Sequence, residues 1–521
     1  MPTTTQPTWW GDGVVYQVYP RSFADSDADG IGDFTGIRGR LPYLRDLGVD
    51  AVWLNPFYPS PQADQGYDVA DYTGIEPDYG TLADFDAFLA DAHELGLRVI
   101  IDIVANHCSS EHPLFRAALD APAGSPARAR FHFADGRGPA GERPPNNWRA
   151  MFGGPAWTRV ADGQWYLHLF TPQQPDLNWR HPGTVAFFDD VLRVWLDRGV
   201  DGFRLDAAQG LFKHPDLPDA DDPEIDERNG DALNPHAWNR PEVHTVYRHW
   251  RTIVDERERG DGVQRPLIGE VTGLGQLALP DYVGPDQLHQ AFFFDFMVTP
   301  WDAAALRAVI ERGLDLAATT GAPVTWVLGN HDMTRLATRM PGRALAATLL
   351  QLALPGAAYL YQGDELGLPE VLDLPPEARR DPLFRNTGGR RLGRDGCRVP
   401  IPWSGDRPPF GFSGTAGTWL PQPDWFTAHT VEAGLADPGS MLHAVRRALR
   451  LRRGLAGRPL RWLDAPPGVL AFERPAAVDA FRCVTNTTDE PVTLPDAGEP
   501  ALASAPVTGG VLPGHCTTWW M

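Results

Sequence analysis

A chain of 521 residues with a net charge of −21, 43% hydrophobic and 22% charged, is globular and long enough for two or three domains or one large barrel with additions. The acidity disfavours nucleic acid and anionic membranes as partners, and no window approaches 18 uninterrupted apolar residues, so no membrane span is expected. Residues 1–7 show neither a basic start nor an apolar h-region, and Cys108, Cys397, Cys483 and Cys516 are scattered without metal-ligand spacing, which together point to a cytoplasmic protein with free thiols.

In chain order, residues 14–19 have strand propensity. The loop Asp25-Ser26-Asp27-Ala28-Asp29-Gly30-Ile31-Gly32-Asp33 alternates carboxylates as an oxygen-ligand cation loop does. Gly36 stands where an EF-hand has its closing Glu, so the loop is not an EF-hand. A small structural Ca²⁺ or Mg²⁺ site is expected, with a solvated acidic turn as the alternative. Helical spacing over 35–47 places Ile37, Leu41, Leu44 and Leu47 on one face and stops at Gly48. A strand at 51–54, a helix at 82–95 closed by Gly96, and a nearly continuous apolar strand at 98–104 follow. This alternation implies right-handed βαβ units.

Residues 108–178 break the pattern. They are rich in Pro, Gly, Trp and Arg, lack helical periodicity, and predict an inserted subdomain. Helical spacing resumes at 185–196, and strands are expected at 201–206, 266–269, 291–294, 323–328 and 357–361, with helices at 243–257, 301–318 and 343–354. Eight such units predict an α/β fold, a (β/α)₈ TIM barrel over residues 1–107 and 179–460. A helix at 441–453 leads to short strands at 468–472, 481–484 and 514–520, which predict a C-terminal all-β sandwich over 461–521.

The chemistry collects at strand ends. In Asp201-Gly202-Phe203-Arg204-Leu205-Asp206, Arg204 and Asp206 are two apart and share a strand face. A cation beside a carboxylate keeps it ionised, as a nucleophile requires; a buried structural ion pair is the competing reading. Asp102, Asn106 and His107 end the third strand, Glu270 the fifth, and Asn330-His331-Asp332 the seventh. Taken singly each has an ordinary structural explanation. Together they would converge on the carboxyl face of one barrel.

These stretches resemble the α-amylase family, glycoside hydrolase family thirteen. Its short regions stand here as Asp102-Ile103-Val104-Ala105-Asn106-His107, Gly202-Phe203-Arg204-Leu205-Asp206-Ala207, Ile268-Gly269-Glu270-Val271 and Gly329-Asn330-His331-Asp332. The resemblance implies Asp206 as nucleophile, Glu270 as general acid/base and Asp332 as transition-state stabiliser, with Arg204, His107 and His331 on the nucleophile or the sugar. It includes the subdomain after the third strand and the terminal β-domain. No cofactor is implied for the chemistry. Retaining hydrolysis needs two carboxyls in different protonation states, so Arg204 is expected to keep Asp206 ionised while burial raises Glu270.

Other stretches are similar to the exo-acting α-glucosidase and oligo-1,6-glucosidase branch: Gln174-Pro175-Asp176-Leu177-Asn178-Trp179, Tyr361-Gln362-Gly363-Asp364-Glu365, Gly66-Tyr67-Asp68 and Gly393-Arg394-Asp395-Gly396-Cys397-Arg398. The resemblance implies that Asp68 and Arg398 pair to clamp the terminal sugar, that Tyr67 stacks on it, and that Asp25, Asp27, Asp29, Ile31 and Asp33 hold the structural metal. Ala207, where α-1,6-preferring relatives often carry Val, leans toward α-1,4 bonds. Gln209 departs from the His common at its position and leaves acceptor specificity open. The expected substrates are small α-glucosides. A transglucosylase or isomerase, such as a trehalose or isomaltulose synthase, is the alternative, because it shares the first chemical step. A non-catalytic sugar-binding homologue is the remote one.

Overall fold

The structure, a computed structural model, describes residues 8–221, 234–272, 279–415, 417–476, 480–494 and 498–521. The N-terminal stretch read for leader features lies outside them. Eight parallel strands close a barrel: β1 (Val14–Val18), β2 (Ala51–Leu54), β3 (Arg98–Val104), β4 (Gly202–Asp206), β5 (Leu267–Gly269), β6 (Gln290–Phe293), β7 (Thr325–Val327) and β8 (Ala357–Tyr361). Each pairs with its sequence neighbour, and β1 pairs with β8. The helices between them are α1 (Phe34–Leu47), α2 (Leu82–Glu94), α3 (Pro182–Arg198), α4 (Val243–Asp261), α5 (Ala303–Thr320) and α6 (Ala344–Ala353). The expected (β/α)₈ barrel is thus present, with element ends displaced by a few residues. The crossover from β5 to β6 carries only the short helix Leu279–Tyr282 among the described residues.

Local chemistry explains the elements. Asp33 caps α1 by accepting the Gly36 N–H, and Gly48 closes it at φ 102°, a left-handed position that glycine takes without strain. α2 opens with a capping box between Thr81 and Asp84. The barrel interior is filled by Val15, Trp53, Ile100, Ile268, Phe292, Val327 and Tyr359, so it is a packed core and not a channel. The opposite strand faces join the helices in a larger core that includes Tyr16, Val52, Ile101, Phe203 and Trp326.

Between β3 and α3 lies a three-stranded antiparallel sheet of Phe133–Asp135, Gln164–Leu167 and Trp157–Arg159, in that order. The stretch that lacked helical periodicity nonetheless holds one short helix, Pro113–Asp120, which His112 caps through Nδ1 with Pro at the first position. Eight residues are too few to show periodicity. α7 (Met441–Arg452) leads to the C-terminal unit. There, Arg461–Trp462, Val469–Arg474, Phe481–Asn486, Cys516–Trp520 and Leu502–Ala503 form an antiparallel sheet, and Val492–Thr493 pairs with Val511–Leu512. Leu512 of the small sheet packs with Val469, Ala471 and Val484 of the large one. Phe472, Phe481 and Trp519 join the larger core between the barrel strands and the helices.

Candidate active site

The strand register assembles the site. β3 and β4 pair so that Asp102 lies beside Arg204 and Val104 beside Asp206. β4 and β5 pair Leu205 with Gly269, which sets Asp206 next to Glu270. Arg204, with a side chain only 1% exposed, serves all three carboxylates. Its Nη1 donates to Asp102 Oδ1 at 2.9 Å and Asp206 Oδ1 at 2.8 Å, and its Nη2 lies 2.7 Å from Glu270 Oε2. Its guanidinium also sits 5.1 Å from the Trp53 ring centroid. The expected Arg204–Asp206 pair is therefore one edge of a four-membered cluster. Ala207 follows in a left-handed conformation, φ 42° and ψ 46°, and its N–H donates to Glu270 Oε2 at 3.1 Å.

The cluster floors a cavity of about 240 Å³ lined by Asp64, Tyr67, His107, Asp206, Ala207, Gln209, Glu270, Thr272, Asp332, Arg391 and Arg394, with Met151, Phe152, Phe170, Trp238 and Leu383 as its apolar lining. Asp332 completes the polar side: its Oδ1 accepts Arg398 Nη2 at 2.7 Å and Arg394 Nη1 at 3.1 Å. His331 stacks on Tyr67 with ring centroids 5.3 Å apart, bonds the Tyr67 hydroxyl through Nε2 at 2.7 Å, and accepts Gln17 Nε2 at Nδ1 at 2.8 Å. His107 meets Gln174 Nε2 at 3.0 Å and the Tyr67 carbonyl at 3.2 Å. Arg204, His331 and Arg398 stand behind the cavity wall and act on it through the residues they hold.

The expected Asp68–Arg398 clamp is not formed. Asp68 is fully buried and faces its own loop: Oδ1 accepts the Ser60 hydroxyl and the Asp64 N–H, and Oδ2 the Ala63 N–H. Arg398 instead binds Gln65 Oε1, the His331 carbonyl and Asp332. On this loop it is Asp64 that pairs with an arginine at the cavity, Arg394, at 2.6 Å. The reason is the backbone. Gln65 at φ 52° and Gly66 at φ 108° are successive left-handed residues, so they turn Asp64 inward and Asp68 away, which alternation along the sequence does not show.

Charge in the cluster departs from the expectation for Asp206. Burial raises its carboxyl well above the ordinary range against the pull of Arg204, and Glu270 and Asp102 push it the same way. Burial likewise moves Asp102 up to about 7 in spite of Arg204. Three carboxylates around one guanidinium cannot all shed their protons cheaply, so crowding adds to burial in raising Asp206 and Asp102. Asp332 is the opposite case. Burial works against its charge, yet His331 and the arginines 394, 398 and 204 hold it well below the usual carboxylate range. Burial keeps His331 itself neutral and lowers His107 to about 4, so the arginines supply the pull on Asp332.

In the acidic loop, carboxylate oxygens of Asp25, Asp27 and Asp29 lie within 4.8 Å of one another. An all-oxygen donor set of this kind suits a hard cation. Asp25 also fixes the loop by accepting the N–H groups of Asp27, Ala28 and Gly30. Asp33 stands outside that group. Its oxygens accept Gly36 N–H, Ser26 N–H and the Ser26 hydroxyl, and its part is the α1 cap. Ile31 donates its N–H to Asp29 Oδ1 at 2.7 Å.

Sequence reasoning missed Asp64, Arg394, the aromatic wall and Lys213. Lys213, the only lysine of the chain, is wholly buried with its partner Asp176, 2.8 Å away. Its Nζ also donates to Asn106 Oδ1 at 2.9 Å and to the Gly210 carbonyl. Asp176 accepts the Leu169 N–H at 2.8 Å. One ammonium group thus fastens the returning arm of the inserted segment to the ends of β3 and β4. Its rarity was the available signal.

A parallel barrel whose strand ends gather carboxylates in a concave pocket is the arrangement of an enzyme. Comparison with known proteins refines that class. The profile described as the alpha amylase catalytic domain matches residues 17–456. A probable alpha-glucosidase of Rhizobium meliloti is 38% identical over 520 residues, covering 93% of this chain and 90% of that one. An oligo-1,6-glucosidase of Parageobacillus thermoglucosidasius is 33% identical, covering 94% and 92%. The crystal structure of an alpha-glucosyl transfer enzyme superposes with a TM-score of 0.87 at 36% identity over 99% of both chains. The chain belongs to the alpha-amylase family and is a glycoside hydrolase. Among the described residues no helix is long and apolar enough to cross a membrane.

Proposed function

We propose that the protein is a retaining, exo-acting α-glucosidase that releases glucose from the non-reducing end of short α-glucosides. The observation that carries this reading is the Arg204 fork, which sets the oxygens of Asp206 and Glu270 at neighbouring nitrogens on the cavity floor. Retaining glycosidases hold their two carboxyls roughly 5–5.5 Å apart, and two acids on one guanidinium suit that spacing. Asp206 attacks the anomeric carbon as its bond to the leaving oxygen breaks, and Glu270 gives that oxygen a proton. Water then attacks the glycosyl ester, Glu270 takes back a proton, and Asp206 leaves as carboxylate. Asp332, held ionised by Arg394 and Arg398, faces the positive charge that develops on the sugar. The Asp64–Arg394 wall supports exo action, since a fixed ion pair across the pocket leaves room for a chain end only.

Ala207 beside Asp206 supports a preference for α-1,4 bonds. The four cysteines, all buried and free, support a cytoplasmic location. The Asp25–Asp27–Asp29 cluster is read as a structural Ca²⁺ or Mg²⁺ site with no part in the chemistry. A second reading, transglucosylation, is favoured by the likeness to the alpha-glucosyl transfer enzyme and by the apolar half of the cavity, formed by Met151, Phe152, Phe170 and Trp238.

The test is turnover of an aryl α-glucoside, maltose, isomaltose, sucrose and trehalose, with products followed by NMR. Glucose released first as the α-anomer is expected. Early β-anomer contradicts retention, and dominant oligosaccharide products favour the transfer reading. Asp206→Asn and Glu270→Gln are expected to remain folded and to lose turnover by more than about 10³-fold, as removal of a nucleophile or acid/base does. Substantial hydrolysis by either variant sinks the assignment.

A further inference from the structure

We propose that Asp381 is a positioning residue for the sugar-binding wall: it fixes Arg394 and, through the loop it closes, sets the acceptor-side rim against the glucose pocket. The proposal rests on the glucosidase reading and concerns a residue to which that reading gives no part.

Arg394 presents three N–H edges, and each meets a different carboxylate. Nη2 binds Asp64 at 2.6 Å, Nη1 binds Asp332 at 3.1 Å, and Nε binds Asp381 Oδ2 at 2.6 Å. The same Oδ2 accepts the Arg394 backbone N–H at 2.8 Å, so Asp381 holds the residue at its main chain and at its guanidinium. Its other oxygen accepts the Leu383 N–H at 2.7 Å and caps the short helix Pro382–Asn386. Asp381 is wholly buried.

These bonds close residues 381–394 into a loop. At Gly393, where φ is 69°, an added Cβ would come 2.7 Å from Asp381 Cβ, so the two ends of the loop touch there. The loop carries Leu383 and Arg391 to the cavity wall. Asn386 Nδ2 donates to the Phe152 carbonyl of the inserted segment at 3.2 Å, and the Arg394 guanidinium lies 4.7 Å from the Phe152 ring centroid. Donor side and acceptor side of the cavity therefore meet at one guanidinium, and Asp381 holds the edge that faces neither.

A guanidinium is a rigid planar fork. With Nε held, its two Nη groups have one orientation toward Asp64 and Asp332; with Nε released, the plane can rotate. Sugar binding that weakens equally in the ground and transition states raises KM more than it lowers kcat. The rim moves with the loop, so the partition of the glycosyl-enzyme between water and a sugar acceptor shifts as well.

The experiment compares the full-length wild type with Asp381→Asn, Arg394→Lys and the double variant on an aryl α-glucoside, with glucose as inhibitor and maltose as acceptor. Asp381→Asn is expected to raise KM and the glucose inhibition constant about 10-fold with kcat changed less than about threefold. The transfer-to-hydrolysis ratio should shift at least about twofold, and the double variant should be no worse than Arg394→Lys, because the two residues act as one unit. A lowered Tm with unchanged KM, glucose inhibition and transfer ratio overturns the proposal, since a plain helix cap would behave that way. If Asp381→Asn does not fold, Asp381→Glu, which keeps the charge but displaces it, is judged by the same criteria. A wild type without turnover defeats the glucosidase reading. In that case the glucose-induced rise in Tm decides: its loss in the Asp381 variant supports the positioning role, and an equal rise, or none in either protein, overturns it.

Discussion

Ala207 shows how much one residue beside the nucleophile position can carry. It is 6% exposed, lines the cavity, and occupies a left-handed conformation at φ 42° that a β-branched residue adopts only under strain. Ala207→Val therefore has two expected effects. Its extra methyl groups enter the acceptor side and change the ratio of kcat/KM for isomaltose over maltose by about 10-fold, the scale of one small apolar contact. The branched Cβ crowds the left-handed backbone more than the alanine methyl does, seen as a lower Tm. An unchanged substrate ratio would remove Ala207 from the specificity determinants. Around it, Asp206 and Asp332 illustrate how neighbours decide charge. Asp206 shares one arginine with two other acids, whereas Asp332 is bound by two arginines, Arg394 and Arg398.

At the level of elements, the inserted segment and the barrel are joined by a buried ion pair. Lys213 and Asp176 are both fully buried, and removing one partner of such a pair leaves an uncompensated charge, a loss of about 3–5 kcal/mol. Lys213→Met is expected to destabilise the protein by that amount in urea unfolding, and the double change with Asp176→Asn to recover part of it. Equal stability of Lys213→Met and the wild type would show that the pair does not tie the segments. Activity should fall along with stability, because a line of hydrogen bonds continues from Asn106 and Asp176 through His107 and Gln174 to Asp64 Oδ2, 3.1 Å from Gln174 Nε2.

For the molecule as a whole, the acidic loop offers a test that leaves the chemistry untouched. A cation held by Asp25, Asp27 and Asp29 stabilises the folded chain by binding it and not the unfolded one. EDTA is expected to lower Tm by a few degrees with little change in kcat at low temperature, and added Ca²⁺ to restore it. A Tm indifferent to both reduces the loop to a solvated turn. At this scale the sequence was most legible. Strand and helix periods, the order of eight units and the polar residues at strand ends are local patterns, so the barrel and the meeting of Asp102, Arg204, Asp206 and Glu270 followed from them. What stayed hidden depended on backbone turns and on partners far apart in the chain. Gln65 and Gly66, both left-handed, exchanged the parts of Asp64 and Asp68. Arg394 rather than Arg398 reached the cavity opposite Asp64, from 330 residues away. The amino-acid sequence by itself determined the barrel and its carboxylates, because period and strand-end position are written in neighbouring residues. Only the tertiary structure decided which Asp meets which Arg, how one guanidinium is shared among three acids, and that Asp206 is raised while Asp332 is lowered, because pairing and burial are properties of the packed chain.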